Sequence, residues 1–104
     1  MGAAMERFGT LDRKRGIVNV GIRREGRKSH LSMDEAMVGL ALDLFDGDGK
    51  ALSCWIQERV EEWDAARRLA EEGIGTGVPY SSLSRLIQRE IIELARRKLA
   101  EGRH

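Results

Sequence analysis

The spacing of hydrophobic positions changes twice along the chain. Ile17, Val18, Val20 and Ile22 form a short β-prone stretch, and Arg23-Arg24-Glu25-Gly26 reads as a turn. Across residues 27–33, Leu31 and Met33 fall on one side of an extended chain, and Lys28, His30 and Ser32 on the other. From Asp34 the period lengthens. Met37, Leu40, Ala41 and Leu44 stand at i, i+3, i+4 and i+7, which predicts an amphipathic helix. Ser32 or Asp34 would cap it, Glu35 suits its positive end, and Gly47 and Gly49 would stop it. A second helix is predicted from Lys50 or Ala51, with the stripe Leu52, Ile56, Val60 and Trp63, continuing through Ala65, Ala66, Leu69 and Ala70 to Gly73. Residues 73–79 read as a glycine-rich loop. A last helix follows from about Ser81 to Ala100, with the stripe Leu83, Leu86, Ile87, Ile91 and Leu94. Residues 1–15 show no period and read as a mobile tail.

Residues 52–63 (LSCWIQERVEEW) align without a gap on residues 83–94 (LSRLIQREIIEL). A duplicated helix–turn–helix unit and two amphipathic helices of like composition both explain the echo; the glycine-rich turn before each copy favours duplication. The expectation is a mainly α chain with a short β-strand, in three parts. Residues 1–26 form a basic N-terminal arm with a possible short strand, 27–63 a strand–helix–helix unit, and 64–104 a helical extension.

Composition changes this picture in one respect. The 104 residues are 41% hydrophobic and 34% charged, ordinary for a folded protein, with a net charge of +1. That average hides an asymmetry. Residues 1–33 hold eight basic and three acidic side chains, a net of +5, so the remainder carries −4. A basic end on an acidic body fits a polyanion-binding arm, and equally a solvated tail. The single Cys54, the lack of an apolar run of about 20 residues and the absence of a signal-peptide core lead to the expectation of a cytoplasmic protein with no membrane contact.

Strand, helix, glycine turn and helix within residues 27–63 resemble the ribbon-helix-helix family, the Arc, MetJ and CopG type of repressors. The residues that carry the resemblance are Lys28-Ser-His-Leu-Ser-Met33, Asp34-Glu35, Leu40, Leu44, Gly49 and Trp55-Ile-Gln-Glu-Arg-Val60. The resemblance implies a ribbon-helix-helix dimer with an additional C-terminal helical unit, in which one strand from each subunit enters the major groove of double-stranded DNA. On that reading Lys28, His30 and Ser32 face the bases. A phosphate is gripped at the start of the second helix by Lys50, Ala51, Leu52 and Ser53, where backbone N–H groups and the helix dipole favour an anion. Arg23, Arg24 and Arg27 would touch the DNA backbone. Two positions depart from the family pattern: Ser29 stands where an apolar inward residue is usual, and Ala51 replaces a hydroxyl-bearing cap. Each residue also has a plain alternative: Lys28 and His30 as surface residues, Ser53 as a helix cap, and the three arginines as charges that solvate an arm. Whether residues 17–22 or 27–33 supply the reading strand stays open.

Other chemistry finds little support. Asp46-Gly-Asp48-Gly49-Lys50 suggests a calcium loop, but the register puts Leu44 and Trp55 where its first and last ligands must stand. Gly73-Ile-Gly75-Thr-Gly77 follows a helix and lacks the lysine of a phosphate loop. With His30, His104 and Cys54 so dispersed, no zinc spacing and no nucleophile–base pair emerges. The expectation is therefore a non-enzyme without cofactor or metal. It would be a sequence-specific DNA-binding regulator: a transcriptional repressor, an antitoxin-type autoregulator, or a plasmid maintenance or transfer accessory protein. It would act as a homodimer or higher oligomer, because the chain is short and the strand at 27–33 has no clear mate. The rival is a helical protein-interaction module whose residues 64–104 bind a toxin or a larger DNA-processing partner.

Overall fold

A computed structural model describes residues 9–12, 14–73 and 82–102. Among them run three strands, β1 (Gly9–Asp12), β2 (Ile17–Arg24) and β3 (Arg27–Asp34), and then three helices, α1 (Glu35–Leu44), α2 (Gly49–Glu71) and α3 (Leu83–Glu101). The strands form one antiparallel sheet in the order β1-β2-β3. The coarse expectation of a mainly helical chain holds, with helices of 10, 23 and 19 residues against strands of 4, 8 and 8.

The strand at 27–33 has a mate, and it is in the same chain. β2 pairs with β3 over their full lengths, from Ile17↔Asp34 to Arg24↔Arg27. Glu25 and Gly26 close this hairpin with φ of 53° and 78°, the two positive values of the tight turn whose twist matches that of paired strands. The expected boundary between residues 26 and 27 therefore falls inside a hairpin turn. Residues 17–24 are core strand, not arm: Val18, Val20 and Ile22 are buried. Part of the expected N-terminal tail is also ordered, since β1 pairs with Ile17–Val20. Its return is built locally. The Asp12 carboxylate accepts from the Lys14 and Arg15 amides at 3.1 and 3.3 Å, and Gly16 takes the left-handed conformation (φ 64°). Residues 1–8 of that expected arm lie outside the described residues.

One face of the sheet is apolar and carries the helices. Val18, Val20, Ile22, Leu31 and Met33 meet Leu52, Ile56, Val60 and Trp63 of α2, Val38, Ala41 and Leu42 of α1, and Leu83, Ile87 and Ile91 of α3 in one core. The stripes expected on α2 and α3 are the buried ones, with Leu86 and Leu94 half-buried. On α1 the stripe is displaced by one position. Val38, Ala41 and Leu42 are buried, whereas Met37 and Leu44 are half-buried and Leu40 is exposed. The run Met37–Leu44 is apolar at almost every position, so its period leaves two faces nearly equivalent, and packing against the sheet chooses between them.

The caps are local. Asp34, not Ser32, caps α1, its carboxylate accepting from the Ala36 amide at 2.9 Å. Asp48 caps α2 and Ser82 caps α3. Most of the glycine-rich loop, residues 74–79, lies outside the described residues, as does Ser81.

Candidate nucleic-acid interface

Because strand side chains alternate, burying one face of the sheet leaves the other in water. On that outer face Lys28 stands opposite Arg23, His30 opposite Gly21, and Ser32 opposite Asn19. Lys28, His30, Ser32 and Arg23 are all exposed. The Ser32 hydroxyl donates to Asn19 Oδ1 at 2.7 Å. The side chains of Arg23, Lys28 and His30 form no hydrogen bond or ion pair among the described residues. Gly21 adds no side chain beside His30, so the surface there is flat. The three expected base-readers are thus brought together on one open face, on a ribbon made within a single chain.

The face is graded in charge. Arg23 and Lys28 sit near the hairpin tip, while Asp12 and Asp34 lie at the opposite end, occupied with the Lys14 and Arg15 amides and with the α1 cap. β1 runs only beside Ile17–Val20, so the tip half, Gly21–His30, is a two-stranded ribbon. α2 takes the place of a third strand there. The Gln57 side-chain amide donates to the Arg23 carbonyl at 2.9 Å and accepts from the Arg23 amide at 2.9 Å, closing the open edge of β2. At the far edge of β3, the Ser84 hydroxyl donates to the Ser32 carbonyl at 2.7 Å. Gln57 and Ser84 belong to the two echoing segments, so each copy seals one edge of the same hairpin.

The residues expected to hold phosphate are not brought together as a set. Arg23 points outward. Arg24 lies on the helix-bearing face, bound by Asp64 through Nη2–Oδ1 at 2.7 Å and Nε–Oδ2 at 3.2 Å, with its guanidinium 5.3 Å from the centre of the Trp63 ring. The hydrogen bond to Asp64 holds the Arg24 pKa above its ordinary value. Arg24 is therefore committed to fastening the hairpin onto α2. Arg27 is exposed at the hairpin tip, on the same side as Arg24. At the start of α2, the Asp48 carboxylate accepts from the Ala51 amide at 3.0 Å, and the Asp48 carbonyl accepts from the Leu52 amide at 3.1 Å. A carboxylate already sits where an anion was expected, and the Leu52 side chain is fully buried. Of the set Lys50, Ala51, Leu52 and Ser53, only Ser53 joins the ribbon. It lines a shallow groove of about 460 Å³ with Gly21, Arg23, Lys28 and Gln57.

Ser29, polar where the resemblance implies an apolar residue, is exposed near the tip beyond the helical cover and leaves no polar group in the core. Sequence reasoning missed Asn19, Gln57, Asp64, Arg67 and Arg68. The arginine pair at 67–68 was a visible signal. The pairing of Gln57 with a strand edge was not, because it depends on where β1 stops.

Among the described residues there is no group of three or more His, Cys, Asp or Glu side chains that could hold a metal ion, and no helix long and apolar enough to cross a membrane. Comparison with protein-family models, curated proteins and solved structures finds no match to the chain.

Proposed function

We propose that the chain is a sequence-specific DNA-binding regulator that lays the tip of its β2–β3 ribbon in the major groove. One observation carries this reading. Arg23, Lys28 and His30 stand together on an exposed two-stranded ribbon, and their side chains form no hydrogen bond or ion pair among the described residues, while all three helices pack on the other face. A two-stranded ribbon fits the major groove, lysine and arginine reach guanine acceptors, and serine pairs with several base edges. The reading differs from the family expectation in one respect: the ribbon comes from one chain and needs no second subunit to form. Each well-placed contact discriminates by about 1–3 kcal/mol, and three or four readers specify few base pairs. A homodimer, doubling the number of readers, is part of the proposal.

The test is equilibrium binding of a labelled duplex across a salt series. The reading expects log K to fall linearly with log salt, with a slope near −0.9 for each phosphate neutralised, and expects Arg23→Glu to weaken binding strongly. Binding that is absent, or indifferent to both salt and Arg23→Glu, overturns it.

A second reading, a protein-interaction module in residues 64–104, draws on Leu69, Ile92 and Leu99, which stay 47%, 43% and 67% exposed. Docking on such apolar residues responds little to salt, so the same series separates the two.

A further inference from the structure

Beside the ribbon tip, the last turns of α2 and the β2–β3 hairpin enclose an open cleft of about 520 Å³. Five cations and three carboxylates line it, but they are not equally available. Arg24 is bound by Asp64 through both pairs of atoms. Arg67 pairs with Glu71 at 3.3 Å and lies 5.5 Å from the centre of the Trp63 ring. These contacts neutralise two of the carboxylates and fix the cleft wall. Glu25 is the one carboxylate of this cleft not already bound to an arginine; Glu61, which accepts from the Gln57 side-chain amide at 3.4 Å, lies with Arg68 in the adjoining groove. Among the described residues Arg27, Lys28 and Arg68 make no ion pair. Two of these three are guanidinium groups, whose planar fork suits a pair of phosphate oxygens. The exposed Ser29 hydroxyl is a further donor on the same wall. Lys28 belongs both to this cleft and to the ribbon's outer face, so the two surfaces are continuous.

We infer that this cleft is a phosphate site that takes the sugar–phosphate backbone of a duplex lying across the ribbon, with Arg27 and Arg68 as its principal ligands. The inference rests on the ribbon being the nucleic-acid interface. It moves the phosphate grip from the start of α2, where Asp48 occupies the helix end, to its other half. The division of labour is then spatial: the outer strand face reads bases, and the cleft beside the tip holds backbone. A phosphate contact carries no sequence information, so its loss weakens all duplexes alike.

The experiment compares the full chain with Arg27→Ala/Arg68→Ala and Arg27→Lys/Arg68→Lys. Both residues are exposed and make no ion pair among the described residues, so all three proteins should melt alike, which a melting curve checks. Duplex affinity is measured across a salt series for a preferred and a scrambled sequence. In parallel, inorganic phosphate is titrated while the arginine side-chain N–H resonances are followed. The double alanine variant should reduce the salt slope by about 2, leave the ratio of preferred to scrambled affinity unchanged, and abolish phosphate-induced shifts; the lysine variant should recover most of the slope. A double alanine variant with the parent's slope overturns the cleft and leaves the DNA reading standing. If the parent binds no duplex at any salt yet phosphate shifts Arg27 and Arg68, the cleft stands with a free phosphate ester as its ligand, and the DNA reading falls. If neither probe binds, both fall.

Discussion

Gln57 offers a test of how the ribbon is held. Its side-chain amide makes two hydrogen bonds of 2.9 Å to the main chain of Arg23, at the edge of β2 that β1 does not reach. Each net hydrogen bond contributes about 0.5–1.5 kcal/mol, and the pair therefore about 1–3 kcal/mol. Arg23 is exposed, so water takes over the freed amide and carbonyl when Gln57 is replaced, which places the loss in the lower half, about 1–2 kcal/mol. Gln57→Met is the better perturbation than Gln57→Ala, since it keeps the bulk of the stem while removing both bonds. The expected fall in Tm is roughly 5–10 °C. Amide hydrogen exchange gives the sharper readout. In an antiparallel ladder residues bond alternately to either side, so the Ile22 and Arg24 amides are held by β3 while that of Arg23 depends on Gln57. Gln57→Met should speed exchange at Arg23 selectively. An Arg23 amide as slow in Gln57→Met as in the parent would refute the clamp.

Other perturbations probe the fold around it. Ile56 is fully buried against the sheet, and Ile56→Ala should cost about 2–5 kcal/mol in denaturant unfolding; a loss under about 1 kcal/mol would mean the core is not centred there. Glu25 holds a φ of 53° in the hairpin turn, where asparagine fits better, so Glu25→Asn should stabilise by about 1 kcal/mol; a lower Tm would contradict the turn geometry. Deleting residues 78–104 strips Leu83, Ile87 and Ile91 from the core and should lower the Tm and expose apolar surface to a hydrophobic dye. An unchanged melting curve would show that α3 is not part of the folded unit.

Much of this architecture was legible where pattern and local chemistry agree. The alternation of Leu31 and Met33 with Lys28, His30 and Ser32 assigns both faces of β3, and the spacing of Leu52, Ile56, Val60 and Trp63 assigns the buried side of α2. What escaped was tertiary. β1, with the sequence Gly-Thr-Leu-Asp, carries no strand pattern and exists because β2 offers it an edge. The β-prone stretch at 17–22 and the turn after it are visible in the sequence, but alternation alone does not say whether residues 27–34 pair with them or with a strand of another subunit. A Glu-Gly turn between two extended runs was the available sign of a hairpin. At the site, alternation is enough to place Lys28, His30 and Ser32 on one face. It is silent on Arg24, whose guanidinium is held by Asp64, forty residues away in sequence. At the start of α2 the feature that weakens the anion reading was readable: Asp48, directly before Gly49, is itself a strong helix cap, and its carboxylate accepts from the Ala51 amide.

The central claim is that the outer face of the β2–β3 ribbon reads bases. The most direct measurement is the affinity of Lys28→Ala and His30→Ala, beside the parent, for a selected duplex and its scrambled counterpart at several salt concentrations. Removing the Lys28 ammonium should cost about 1–3 kcal/mol on the selected duplex and less on the scrambled one, so the ratio between them falls by roughly tenfold. Melting curves of the variants should match the parent, because both side chains are exposed and make no hydrogen bond or ion pair among the described residues. If both variants bind the two duplexes with the parent's ratio, the ribbon face is not the reader.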